Sequence, residues 1–224
     1  MRNHIFPKKN AMLLLSIVSM LVMSCRHVEK SYYPNGNIES EVSFWGGKMD
    51  GKAVWYYEHG TIRMQVEYAK GVLQGPCVRY YRNGKAELRC HYCRDTLDGE
   101  YLQYDEAGWL SERLLYRMGV KEGPYRCYHD GEQLKIEGQF SDGQFDGEWT
   151  YYDYQGFVIG KAHFVKGEGI LEYYDDQQHP LRRVSYRNSM KNGPESFLDA
   201  EGAEYRTDYY QNDRLIRTLE HDTN

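Results

Sequence analysis

The sequence predicts an all-β chain, an elongated antiparallel meander of repeated β-hairpins. Three regularities predict it: a comb of glycines, two aromatic columns in phase with that comb, and strands that alternate apolar with polar residues. In a chain of 224 residues, Gly51, Gly75, Gly99, Gly123 and Gly147 stand 24 apart, then Gly169 follows after 22 and Gly193 after 24. Five residues after each comes Tyr56, Tyr80, Tyr104, Tyr128, Tyr152 or Tyr174, with Leu198 in the last copy and Tyr32 in a truncated first one. A second column falls twelve residues further on, at Phe44, Tyr68, Tyr92, Tyr116, Phe140, Phe164, Tyr186 and Tyr210. It keeps phase through the two-residue deletion near Gly167. Self-similarity at a fixed period is the mark of a repeat architecture.

Each unit reads as two strands and two turns. The first turn is marked by YYPNG (32–36), YYEHG (56–60), YYRNG (80–84) and CYHDG (127–131), with wider versions at 151–156 and 197–202. Glycine after such a β-prone run accepts positive φ at no steric cost, which is a hairpin signal. The second turn falls between the aromatic column and the next anchor glycine, as at Lys70-Gly71 and Asp142-Gly143. In the second strand, Ile62, Met64, Val66 and Tyr68 oppose Thr61, Arg63, Gln65 and Glu67; Ile38, Val42 and Phe44 repeat the pattern earlier, and Ala86, Leu88, Cys90 and Tyr92 later. One face is therefore packed and one wet. The first strand is mixed, with Val54 and Tyr56 alternating with Ala53, Trp55 and Tyr57, so the sequence leaves open which Tyr column shares the packed face. No helix-period segment follows Cys25, and connections this short exclude parallel pairing. The anchor glycines read as Cβ-free sites that let a ring of the aromatic column lie flat on the facing backbone.

Composition agrees. Tyr and Gly each number 22 against 7 Phe, and the mean hydropathy is −0.79. Tyr suits half-buried positions and Gly suits turns, so the interior is thin.

Residues 1–24 read as an export signal. Arg2, Lys8 and Lys9 make a basic start, and Ala11 to Met23 are apolar apart from two serines, too short for a comfortable membrane span. The segment ends in Leu21-Val22-Met23-Ser24-Cys25, which resembles the lipobox of bacterial lipoproteins. The resemblance implies cleavage before Cys25 and its acylation, hence a membrane-anchored lipoprotein of the bacterial cell envelope. The chain then divides into the leader (1–24), a short linker (25–31), the repeat domain (32–217) and a tail (218–224). Without the leader, 25 Lys and Arg face 33 Asp and Glu, a formal charge of −8. That balance offers no footprint for nucleic acid.

The motif Tyr-Tyr-x-x-Gly followed by x-Gly-x-x-Asp/Glu-Gly resembles the MORN family, in the repeat variant common in bacterial proteins. The match runs through YYEHGTIRMQVEYAKGVLQG (56–75), YYRNGKAELRCHYCRDTLDG (80–99) and, more loosely, YYDYQGFVIGKAHFVKGEG (151–169), and the resemblance covers nearly all of 27–217. It implies an elongated sheet of hairpins that serves as a scaffold for protein or lipid contacts. The bacterial set includes chains labelled YwqK-type antitoxins, so neutralisation of a partner toxin is the alternative it implies. Departures from the pattern are His179-Pro180 where a turn glycine is expected, Leu198 in place of Tyr, and Glu204 and Asp208 on the usual apolar face. These read as a C-terminal cap with a polar outer surface.

Candidate sites are few. Besides Cys25, the thiols are Cys77, Cys90, Cys93 and Cys127. Cys90-x-x-Cys93 has no second pair for a zinc site and no helix N-terminus for redox work. If the 80–87 hairpin closes with a four-residue loop, Cys77 lies across from Cys90, the first choice for a disulfide; buried free thiols are an equal reading. Asp142, Asp146 and Glu148 read as turn chemistry rather than a calcium loop. No cofactor or metal is expected, and the repeat already uses almost every strong feature, so the expectation is a non-enzyme. The ladder Tyr33, Tyr57 and Tyr81, with Trp55 and Tyr151 in phase, either lines a groove for a protein partner or covers a thin sheet.

Overall fold

The computed structural model describes residues 25–222, so the leader read at 1–24 lies outside the described residues. Among them there is no helix, and 19 strands form one antiparallel sheet. It opens with β1 (His27–Tyr32), β2 (Ile38–Trp45), β3 (Lys48–Tyr56) and β4 (Ile62–Ala69). Next come β5 (Val72–Tyr80), β6 (Ala86–Cys93), β7 (Thr96–Leu97), β8 (Gly99–Tyr104) and β9 (Leu110–Arg117). They are followed by β10 (Val120–Lys121), β11 (Gly123–Tyr128), β12 (Leu134–Ser141), β13 (Gln144–Tyr152) and β14 (Val158–Val165). The sheet ends with β15 (Glu168–Tyr174), β16 (Pro180–Arg187), β17 (Met190–Leu198), β18 (Glu204–Gln211) and β19 (Arg214–Glu220).

Each strand pairs with its successor, except that β7 and β8 form one interrupted line against β6, and β10 and β11 one against β9. At a strand spacing of about 4.8 Å the ribbon is roughly 80 Å long. The ordered sheet exceeds the repeat limits read from sequence at both ends, since β1 starts inside the linker and β19 runs into the tail.

Two kinds of turn border the ribbon. The short turns have two residues, both at positive φ, as in Lys70 (52°) and Gly71 (91°) or Arg94 (50°) and Asp95 (64°). This is the type I′ geometry whose twist matches that of the flanking strands. Arg94-Asp95, Asn188-Ser189 and Asn212-Asp213 adopt it without glycine. Most longer turns share one pattern: the Tyr57 amide donates to Thr61 O (2.8 Å) and the Gly60 amide to Tyr57 O (2.8 Å), and Asp199, Ala203 and Gly202 repeat this. The turn at 129–133 keeps only the first bond (His129 N to Gln133 O, 2.7 Å) and has positive φ at both Gly131 and Glu132. His179-Pro180 does not displace the turn. Gln178, one residue earlier, takes the glycine's place at φ 67°, and its amide donates to Asp175 O at 3.1 Å.

The packed face is organised by one lateral row of directly opposed residues. It runs Val42, Ala53, Val66, Cys77 and Cys90, then through Tyr101 and Leu114, and later through Trp149, Ala162, Leu171 and Val184. In its N-terminal half small residues and valines fill it because larger groups flank it: Phe44, Tyr68 and Tyr92 on one side, Trp55 and Met64 on the other. Ala53 and Leu171 are fully buried in a sheet with no second layer. The alternation read for β2, β4 and β6 holds, and the open question about the first strand is answered: Ala53 and Trp55 face the core. Tyr56 is on the wet face, its hydroxyl donating to Glu41 (2.8 Å), and Glu41 faces Val54 across the strands.

The anchor glycines require a correction. Each does stand opposite the aromatic column, as Gly75 does opposite Tyr92 and Gly169 opposite Tyr186. Ring packing is not what demands glycine at most of them. Gly75 has φ +98° beside a register shift between Val66 and Tyr68, and a Cβ there would meet the Glu67 carboxylate on the wet face. The glycine serves a β-bulge, where only it accepts the backbone. Gly169 alone among the anchors lies against a ring, that of Phe164 on the preceding strand.

The row ends in charge. Val184 opposes Glu195, Glu195 opposes Asp208, and Asp208 opposes Thr218 on β19. Both carboxylates are 2% exposed, so the polar outer surface expected of Asp208 is in fact interior, while Glu204 is exposed. Burial is tolerated because partners are supplied. Asp208 accepts from Arg206 (2.6 and 3.1 Å) and Thr218 (2.6 Å), and Glu195 from Lys191 (2.9 Å), with Arg182 at 3.4 Å.

Candidate binding face

The residues read as a recognition ladder fall into two groups. Tyr33, Tyr57 and Tyr81 are the first residues of successive long turns, half-buried, and their hydroxyls point along the ribbon. Tyr33 donates to Tyr56 O (2.7 Å), Tyr57 to Tyr80 O (2.7 Å) and Tyr81 to Tyr104 O (2.8 Å). Each is thus a staple to the next repeat, 23 residues on. His129 fills the position with Nε2 3.0 Å from Tyr152 O, while Asp105, Asp153, Asp175 and Asp199 replace the ring in the remaining copies. Asp153 and Asp199 instead accept backbone amides within their own turns.

Trp55 and Tyr151 lie elsewhere, packed among the buried residues of the row. Desolvation pushes the Tyr151 hydroxyl well above its usual pKa and that of Tyr186 up to about 12. Both belong to an aromatic cluster around Trp149, whose indole lies over Gly138. The five residues therefore do not line one groove.

The opposite border is stapled by a second device. The residue before each of the first five anchor glycines (Asp50, Gln74, Asp98, Glu122 and Asp146) caps the short turn of the next repeat. Asp50 Oδ2 accepts the Lys70 amide (3.0 Å), Asp98 Oδ1 the Met118 amide (3.0 Å) and Asp146 Oδ1 the Lys166 amide (3.1 Å). The backbone adds Gly71 N to Met49 O (2.7 Å) and equivalents along the border. Asp146 is therefore occupied by turn capping, and Glu148 pairs with His163 at 2.7 Å.

Three stretches of this ribbon also match a known repeat model. Residues 28–45, 49–70 and 97–118 match the model described as MORN repeat variant. By this match three hairpin units, all within residues 28–118, are MORN-variant repeats. The chain matches no curated protein. Among solved structures it is similar to the crystal structure of the GtfA/B complex bound to UDP and GlcNAc, at 20% identity and a TM-score of 0.22. That match covers 50% of this chain and 22% of the other.

The thiols of the ribbon separate by face and by position. Cys77 and Cys90 are directly opposed in the packed row, whereas Cys93, three residues beyond Cys90, faces the other way, and Cys127 opposes Ile136 several strands off. Cys90 and Cys93 cannot ligate one ion together. Cys25 is exposed, two residues before β1.

One feature of the repeats escaped the sequence reading. The second wet-face position after the long turn is Glu39, Arg63, Glu87, Ser111 and Lys135 in the early copies, but Ile159, Leu181 and Tyr205 in the last three. Leu181 and Tyr205 remain 43% and 41% exposed, and nearby Tyr154 and Phe157 are 61% and 70% exposed. Together with Tyr174, Phe197 and Leu198, the three residues line a groove of about 440 Å³. The signal was in the sequence as a charged column turning apolar, but the stronger aromatic columns masked it.

Proposed function

We propose that the chain is a lipid-anchored scaffold of the bacterial cell envelope that holds a protein partner on the wet face of its last three repeats. The observation that carries this is the apolar stripe of half-buried Ile159 and exposed Leu181 and Tyr205, with exposed Tyr154 and Phe157 nearby. Exposed apolar residues gathered in one patch mark interaction surfaces, and Tyr and Phe are favoured at interface centres. The N-terminal repeats, polar or charged at the equivalent position, serve as a stiff spacer between the anchor and the patch. The anchor reading rests on the sequence Leu21–Cys25, and the scaffold is non-catalytic in this reading.

The test is photo-crosslinking in the native envelope, with a photoreactive residue at Phe157 or Leu181 and a control at Arg63. One partner should crosslink from the C-terminal positions and not from the control. Equal capture from all three, or none from Phe157 and Leu181, rejects the stripe. Incorporation of labelled fatty acid, lost in Cys25→Ala, tests the anchor separately.

A further inference from the structure

We propose that Cys77 and Cys90 form an oxidisable pair that closes to a disulfide by exchange with a disulfide-bearing oxidant. The two residues are direct partners across β5 and β6, with side chains on the same face. Directly opposed residues of an antiparallel pair have Cα atoms about 4.5–5.5 Å apart, inside the window of about 4.4–6.8 Å that a disulfide requires. No backbone movement is needed to join them. Val66 and Tyr101 close the row around the two thiols. The remaining cysteines do not compete. Cys93 is on the opposite face, Cys127 is in another part of the ribbon, and Cys25 precedes the first strand.

The chemistry is a two-step exchange. One thiol loses its proton and attacks a sulfur of the oxidant, releasing the oxidant's first thiol. The second, likewise deprotonated, attacks the mixed disulfide and releases the other. Two electrons pass to the oxidant, and the two protons end on its thiols. Cys77 and Cys90 are 5% and 7% exposed, so exchange belongs to folding or to opening of the β5–β6 hairpin, and the product is shielded from reductants. In a repeat array each unit contacts only its neighbours, so the bond locks this hairpin without stiffening the whole ribbon.

The full chain, unfolded and refolded in a buffer of oxidised and reduced glutathione, tests this. Free thiols are alkylated under denaturing conditions and the digest is mapped without reduction. The expected result is a single linkage joining the Cys77 and Cys90 peptides, with Cys93 and Cys127 alkylated. Amide exchange across 72–93 should slow on oxidation, exchange across 158–198 should not change, and a Cys77→Ser, Cys90→Ser chain should show no slowing. Recovery of Cys77 and Cys90 as alkylated thiols, or joined to any other cysteine, overturns the proposal. Such a failure leaves the docking stripe standing, because none of its residues lies in β5 or β6.

Discussion

The hydroxyl of Tyr57 donates to the backbone carbonyl of Tyr80, 2.7 Å away and one repeat further along the ribbon. That carbonyl lies beside the bulge between Arg79 and Tyr80, where the regular ladder is interrupted. The ring, stacked on His59 with the Arg82 guanidinium over its face, thus supplies a donor where the sheet lacks one. Repeat-to-repeat bonds of this kind allow a single-layer sheet with a thin interior to hold its alignment.

Tyr57→Phe keeps the ring and removes the donor. It should cost about 1 kcal/mol, read as faster amide exchange in the turn at 80–85. Crosslinking from Phe157 should be unaffected, because Tyr57 is an architectural residue in this structure.

The short turns offer a gain. Arg94 and Asp95 hold positive φ without glycine, a conformation Asn-Gly accepts more readily. Arg94→Asn should stabilise the β6–β7 hairpin by roughly 0.5 kcal/mol, seen as a higher denaturation midpoint, whereas Asp95 is kept because its Oδ1 accepts the Leu73 amide at 2.7 Å. Gly75→Ala should do the reverse by about 1–2 kcal/mol, since its φ is +98° and the Glu67 carboxylate stands in the way.

Gly138 and Trp149 should be coupled. A Cβ on Gly138 would run into the indole ring, so Gly138→Ala alone should be severely destabilising. In a Trp149→Leu background the ring is gone, and the same change should cost less by about 1 kcal/mol or more. A double-mutant cycle on denaturation midpoints measures this. Additive effects would place the indole elsewhere.

Acid should unravel the ribbon from its C-terminal end. The hydrogen bonds from Arg206 hold the Asp208 carboxyl below its usual range. A depressed folded pKa means that its stabilising contribution is complete above the unfolded value of about 4 and is lost as pH falls through the folded one. Amide exchange in 204–220 should therefore accelerate below about pH 4 before that in 62–93. Asp208→Asn should weaken this end at neutral pH and flatten the pH response.

The Cys77–Cys90 juxtaposition and the packed faces of β2, β4 and β6 were legible in the sequence, because both follow from local periodicity. So was the hairpin length, which the spacing of turn glycines and rings states directly. The roles of Tyr33, Tyr57 and Tyr81, the interior place of Asp208, and the reason for Gly75 were not. Each depends on which residues are neighbours across strands, and the register shifts beside the anchor glycines and at the ends of the first strands. Spacing along the chain does not record such a shift. The sequence by itself determined that there would be a ribbon of hairpins and which side of its second strands would pack. Only the tertiary structure decided which rings were staples and which side chains stayed exposed, because bulges and lateral hydrogen bonds between repeats set those neighbours.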